Sequence, residues 1–300
     1  MDNFLVLEYL IDPGRRTYWI YLASSIAIGI IFIYFNKRYR KIAFSSKLWL
    51  HPSSKLDYYY FILSYFIKML LIIPIVISAK TVALWVNKHL YYNFGFNQIQ
   101  DVSYETTIAL YTITLFVVSD FTRYWIHRFL HTIPILWEFH KVHHSAKVLN
   151  PLTFYRVHPV ENILFGFRYS LSIGLVTGVF IYFFGSKVGL YEVLGANIFI
   201  FVFSLFGSNL RHSHIPFAYF EWIEKWFISP KQHQIHHSKK YFDKNYGSYL
   251  AVWDRLFGSL TLSKEVKVLK FGLRKEQMNN YKSITNIIVY PFINLLRRRS

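Results

Sequence analysis

Apolar stretches close to bilayer length alternate along this chain with short basic ones, a pattern that predicts membrane-spanning helices. The stretches are Thr17–Phe35, Tyr58–Ala79, Tyr104–Tyr124, Asn162–Phe184 and Val188–Leu210. A helix needs roughly 20 mostly apolar residues to cross the hydrocarbon layer, so each stretch is read as a crossing. Lys68 lies near the middle of the second, where its ammonium must face protein or snorkel to the interface. Only Gly185-Ser186-Lys187 separates the fourth from the fifth, which predicts a tight helical hairpin. Beyond about Asn280 a last apolar stretch, broken by Pro291 and closed by three arginines, reads as an interfacial segment. No basic region and cleavage site precede the first stretch, so a removed signal peptide is not expected. The expected fold is an all-α integral membrane protein, one domain over residues 1–300, with about five spanning helices and a cytoplasmic helical cap.

Composition supports the membrane reading, with 53% hydrophobic and 20% aromatic residues against 17% charged. The formal net charge of +18 raises nucleic acid as a partner, but no nucleic-acid recognition motif is present. The basic residues instead flank the apolar stretches. Of the 34 Lys and Arg, 28 fall in Lys37–Lys55, Arg123–Arg168 and Arg211–Arg299. Five crossings place all three segments on one face, which the positive-inside rule makes cytoplasmic. There is no cysteine, which excludes disulfides, thiolate metal sites and iron–sulfur ligation.

Histidine supplies the chemistry that cysteine cannot. Eleven of the 13 histidines follow residue 126, most of them at helical spacing. His127 and His131 stand at i and i+4, on one helix face with Asp120 and Tyr124. A carboxylate there can hold the second nitrogen of a ligating imidazole. His140, His143 and His144 form H-x-x-H-H, a pattern repeated by His233, His236 and His237. The second copy has a legible helix start, with Ser229 as cap, Pro230 in the first turn and Gln232 completing a capping box. Asn209, His212 and His214 follow the fifth stretch, and His158 stands near Arg156 and Glu161. His212 is read as a ligand, and His158 and His214 as ligands or orienting groups. His51 and His89 stand alone and read as structural or interfacial.

Eight clustered imidazoles exceed the four ligands of one tetrahedral zinc and suit two ions with open positions. Imidazole alone does not choose among iron, zinc, copper and nickel. Iron is favoured by a cage set beside apolar helices, where a lipid C–H bond would call for an oxidant that no side chain supplies.

The stretches D-F-T-R-Y-W-I-H-R-F-L-H, W-E-F-H-K-V-H-H-S and S-P-K-Q-H-Q-I-H-H-S, followed by K-N-Y-G-S-Y-L-A-V-W-D-R-L-F-G, resemble the fatty acid hydroxylase / sterol desaturase superfamily of membrane di-iron enzymes. The resemblance covers about residues 113–260 and is nearest the branch of alkylglycerol monooxygenase and bacterial sterol-desaturase-like proteins. It implies two iron ions held by His127, His131, His140, His143, His144, His233, His236 and His237, with further ligation near Asn209 and His212. Zinc can replace iron in preparations. Asp120, Tyr124, Asn209 and Asp254 are expected to orient the site.

By the same resemblance the chain is an oxidoreductase, a lipid hydroxylase or desaturase that uses O₂ to abstract hydrogen from an unactivated C–H bond of a fatty acid, sterol or ether lipid. Its expected partners are the membrane, the lipid and a separate electron donor, a ferredoxin or a b-type cytochrome with its reductase. Its expected place is the inner membrane of a bacterium or the endoplasmic reticulum of a eukaryote, with the metal site on the cytoplasmic face. The alternative is a transition-metal transporter or membrane metal-binding protein. A transporter would carry ionisable residues at the bilayer midplane, whereas these histidines fall outside the apolar stretches. A zinc hydrolase would want H-E-x-x-H, which is absent.

Overall fold

The computed structural model describes residues 8–99, 101–185, 188, 192–193 and 196–297. The principal helices are α1 (Trp19–Phe35), α2 (Pro52–Ile67), α3 (Ala79–Phe94), α4 (Tyr104–Thr132), α5 (Pro134–His144), α6 (Pro159–Phe184), α7 (Ile198–Leu205), α8 (Pro230–His236) and α9 (Ile284–Arg297). Among the described residues the only sheet is a two-residue pair, Glu192–Val193 with Ala196–Asn197.

Apolar helices α2, α3, α4 and α6 form one block. Pro74 has no N–H to donate, and ahead of it α2 loosens into a π turn over Lys68–Ile72. Ser78 then caps α3 by accepting from Thr81 N. The expected crossing Tyr58–Ala79 is therefore two stacked helices that continue to Phe94. Helix α3 runs parallel to α6 because Gly174 and Gly178 let the backbones meet. A Cβ at these positions would stand 2.8 Å from Ala79 O and 2.7 Å from Ala83 O. At the far end Tyr182 donates to Gly95 O, and the chain turns into α4, which returns antiparallel to α6 through Tyr111–Thr177 and Arg168–Ser119.

Among the described residues two helical runs are long and apolar enough to cross a membrane, Pro52–Phe94 and Pro159–Phe184. On the first, Ile62, Phe66, Leu70, Leu71, Ile73 and Trp85 all face outward, a surface that water covers poorly and lipid covers well. Helix α1 is apolar but has 17 residues, and it packs along residues 201–215. Arg16 ahead of it bonds Ser208 and Asn209 while Ile33 and Ala43 meet Leu210 and Ile215, so both ends of the expected first crossing, Thr17–Phe35, lie beside the 208–215 segment. The expected crossing Val188–Leu210 is not one long helix among the described residues. Asn197 caps α7 by accepting from Phe199 N, and α7 ends after eight residues before Gly207, whose φ of 83° opens a 3-10 turn over Ser208–His212. Ser186 and Lys187 of the expected hairpin, and Arg298 and Arg299, lie outside the described residues.

At about 1.5 Å per residue, the 29 residues of α4 reach about 44 Å, longer than a hydrocarbon layer. Its last two turns therefore project beyond the apolar block, and they carry His127 and His131. Against them pack α5, started by Pro134, and α8, where the expected capping box between Ser229 and Gln232 is formed.

Candidate metal centre

Nine histidines converge into two groups. His127, His131, His140, His144 and His236 form one, and His143, His212, His233 and His237 the other. Within each, one nitrogen per ring lies within 4.8 Å of all the rest. At metal–nitrogen bonds of about 2.0–2.1 Å, ligands across an ion stand about 4 Å apart, so each group has the span of one coordination sphere.

The H-x-x-H-H patterns are split between the groups. Helix α5 gives His140 and His144 to the first and His143 to the second, while α8 gives His233 and His237 to the second and His236 to the first. Residues i and i+4 stay together, and the i+3 position faces the neighbouring group. Spacing of i, i+3 and i+4 taken alone puts all three on one helix face.

Outward hydrogen bonds fix which nitrogen points inward. His127 Nδ1 donates to Tyr246 O at 2.8 Å, His140 Nδ1 to Glu161 Oε2 at 2.9 Å, His143 Nδ1 to Arg156 O at 3.2 Å and His236 Nδ1 to Lys244 O at 2.8 Å. A ring that donates from Nδ1 keeps its lone pair on Nε2. The Nε2 atoms of His140 and His236, and both nitrogens of His131 and His144, are buried without a partner. In the second group His212 Nε2 lies 3.2, 3.1 and 3.0 Å from the Nε2 atoms of His143, His233 and His237. One proton cannot bridge three such contacts, and buried polar atoms left unpaired are costly. A shared cation satisfies every lone pair at once, so the residues present fit a metal in each group.

Electrostatics agree. Burial pushes His127, His140 and His143 down to about 3, with neighbouring rings adding repulsion at His127 and His143. All three are neutral near pH 7, the form that ligates. Burial pushes the Glu161 carboxyl up to about 7.

The expected orienting residues act at one remove. Asp120 holds no imidazole but accepts from Tyr249 N, Leu250 N and Trp253 Nε1, each at 3.0 Å. Asp254 accepts from Tyr246 N, Gly247 N and Ser259 Oγ. The two carboxylates thus shape the loop whose Tyr246 carbonyl holds His127. Tyr124 bonds Ser259 and accepts from Arg128, and Asn209 exchanges hydrogen bonds with Arg16. His158 lies outside both groups with both nitrogens engaged, by Ile288 O and by Val160 N, so it caps α6. His214 also lies outside them, edge-on to Trp49. His51 caps α2, and His89 stacks on Trp85.

Sequence reading missed Glu161 as the partner of His140, although it had marked that residue beside His158. It also missed the three backbone carbonyls, which leave no trace in side-chain pattern. A further omission is the clamp behind His143. Buried Asp57 binds Arg156 Nε, Thr153 and Asn150, and Arg156 also reaches Ser53 and Ser145. On the solvent side a cavity of about 180 Å³, lined in part by Trp137, His144, His237, Lys239 and Phe242, reaches one ring of each group.

Two buried imidazole groups at the end of an apolar helix block have the donor set and spacing to hold two metal ions. Residues 112–259, just under half of the chain, match the model of the fatty acid hydroxylase family. The chain is 30% identical over 152 residues to a Δ7-sterol 5(6)-desaturase of Gibberella zeae, covering 51% of this chain and 42% of the relative. Human lathosterol oxidase is 27% identical over 174 residues, covering 55% and 51%, and zebrafish (Danio rerio) alkylglycerol monooxygenase is 28% identical over 171 residues, covering 53% and 32%. The chain thus spans about half or less of the length of these relatives. No solved structure matches it.

Proposed function

We propose that the chain is an O₂-dependent lipid hydroxylase or desaturase with a histidine-held pair of iron ions. The observation that carries the reading is the convergence of nine imidazoles into two groups inside the region that matches the family model. His127, His131, His140, His144 and His236 would hold one ion, and His143, His212, His233 and His237 the other. The bound pair supplies the O₂ chemistry needed to oxidise an unactivated C–H bond. Hydroxylation consumes one O₂, two electrons and two protons, giving an alcohol and one water. Desaturation has the same input and gives an alkene and two waters.

What the chain itself contributes is orientation and exclusion. Glu161 and the carbonyls of Arg156, Lys244 and Tyr246 hold the rings. Asp120, Asp254, Tyr124 and Asn209 hold the segments around them. Trp137 packs on His131 and His144 and stacks with Phe242, closing the solvent side with aromatic surface. The electrons come from a separate acidic carrier, a ferredoxin or b-type cytochrome, drawn to the basic cap.

The proposed layout has about five membrane segments and a cytoplasmic cap, in the inner membrane of a bacterium or the endoplasmic reticulum of a eukaryote. It is supported by the parallel run of α3 with α6, the antiparallel return of α4, and the gathering of 28 basic residues in Lys37–Lys55, Arg123–Arg168 and Arg211–Arg299. The shortness of α7 makes the fifth segment a partly irregular return path, which still has to bring His212 back to His143. The deciding experiment compares lipids from cells carrying the wild-type chain or its His143→Ala variant, with iron measured on both purified proteins. Two irons per wild-type chain and a lipid product shifted by one oxygen or two hydrogens are expected. Identical lipids, or one iron or none after iron supplementation, would sink the proposal.

A further inference from the structure

Four arginines that the proposed reaction leaves unused gather where the apolar helices meet the histidine groups. Arg123 stands near the end of α4, Arg168 on α6, Arg211 beside His212, and Arg16 just ahead of α1. Arg123 is within charge reach of the other three, and the Tyr249 phenol is within reach of Arg16, Arg168 and Arg211. The Arg16 guanidinium sits 4.0 Å over the Phe154 ring, which meets His212 edge-on at 5.6 Å. The cluster is thus one ring away from the second histidine group.

Among the described residues no carboxylate pairs with any of the four. Two acids lie in their charge reach and both are engaged elsewhere, Asp120 by three donors from residues 249–253 and Glu161 by His140. Asp12 is paired with Arg15. The contacts the arginines do make are to neutral groups. Arg16 donates to Asn209 Oδ1 and Ser208 O, and Arg168 to Ser119 and Thr122. Arg211 reaches Ile228 O only at 3.5 Å and otherwise lies over Phe203, and Arg123 has only a ring contact with Phe165. The Nε atoms of Arg168 and Arg211 are buried with no acceptor. Burial and repulsion by Arg211 push Arg16 down to about 10, and burial pushes Arg211 to the same level.

Arg211 is buried, and Arg16, Arg123 and Arg168 are half-buried. Cations so placed without a counter-charge are costly, the more so because Arg123 lies within charge reach of the other three. Guanidinium forks match the paired oxygens of carboxylate and phosphate, and the resulting charge-assisted hydrogen bonds are about twice as strong as neutral ones. We propose that this arginine cluster receives the anionic headgroup, carboxylate or phosphate, of the lipid substrate. The inference rests on the lipid-oxidising reading and narrows it to an acidic lipid. That departs from the neutral sterols and glyceryl ethers in the names of the relatives.

The test is native mass spectrometry of the purified full-length protein in detergent. Equimolar oleate, dioleoyl phosphatidate and dioleoylglycerol are offered, with and without inorganic phosphate. One acidic lipid per chain is expected, retained over dioleoylglycerol by about tenfold or more. The two acids separate a carboxylate site from a phosphate site. Arg123→Gln removes a side chain with no hydrogen bond in the fold, and Arg168→Gln gives a second reading if the first variant misbehaves. Both should lose the preference while keeping metal content. Arg123→Gln should also keep the thermal midpoint, whereas Arg168→Gln gives up its bonds to Ser119 and Thr122 and should lower it. Equal retention of dioleoylglycerol would overturn the proposal. So would folded variants that keep the preference, or displacement of the lipid by equimolar phosphate, which would assign the cluster to a free anion. Retention needs no turnover, so acidic-lipid binding without any oxidised product would sink the reaction and leave this site standing.

Discussion

Glu161 accepts the Nδ1–H of His140 at 2.9 Å with both side chains shut away from water. The bond turns His140 Nε2 toward the five-histidine group. Glu161→Gln keeps an acceptor and loses the charge, so it should retain both metals while turnover falls about 10–100-fold. Glu161→Leu removes the acceptor and should also lose metal from that group. Elemental analysis beside product formation checks both, and a Leu variant with full metal and turnover would refute the orienting role.

Clustered and isolated histidines should respond differently to removal. His143→Ala and His236→Ala each delete one inward nitrogen, and activity and metal content should fall together, by at least the roughly 10–100-fold typical of lost supporting contacts. His89→Ala removes a ring stacked on Trp85, outside both groups, and should change neither. Full metal in both cluster variants would show that these groups are not the ligands.

Asp57→Asn tests the clamp behind His143. It leaves the Arg156 guanidinium buried without its counter-charge, which typically costs about 3–5 kcal/mol. The thermal midpoint should drop sharply, and the 145–158 segment should become the first site of proteolysis. An unchanged midpoint would mean that the pair contributes little.

Gly178→Leu should separate α3 from α6. Any Cβ there meets Ala83 O at 2.7 Å, and the larger side chain cannot be accommodated without moving a helix. Overpacking of this kind costs about 1–3 kcal/mol. Gly258→Ala is a useful contrast, since a Cβ there meets nothing within 4 Å and only its φ of 72° opposes the change. A Gly178 variant as stable as wild type would show that the helices are not in close contact in the membrane.

Sidedness is checked with cysteines introduced at Lys147 and Lys240, both exposed on the cap. In sealed right-side-out membranes an impermeant reagent should label neither until the membrane is opened. Ready labelling of either one would rule out the cytoplasmic cap.

Helical periodicity made the histidine patterns and the α8 capping box legible before any fold was known. The division of H-x-x-H-H between two groups was not legible, because it depends on how α5 and α8 face each other. The Asp57–Arg156 pair joins residues 99 positions apart, and no local pattern announces it. Hydropathy also misjudged Val188–Leu210, since it registers apolarity but not the Asn197 cap or the left-handed Gly207 that confine α7 to eight residues.

Because α5 and α8 each serve both cages, the two positions cannot fill independently. An ion in the first cage would pin His140 and His144 and thereby set the rotation of α5 about its axis, which aims His143 at the second. The same coupling runs through α8, where His236 fixes the bearing of His233 and His237. Metal uptake should therefore be cooperative, with the singly loaded chain scarce at every iron concentration. Wherever iron is short, a population of such chains would divide into full and empty molecules, and activity would track the fraction fully loaded.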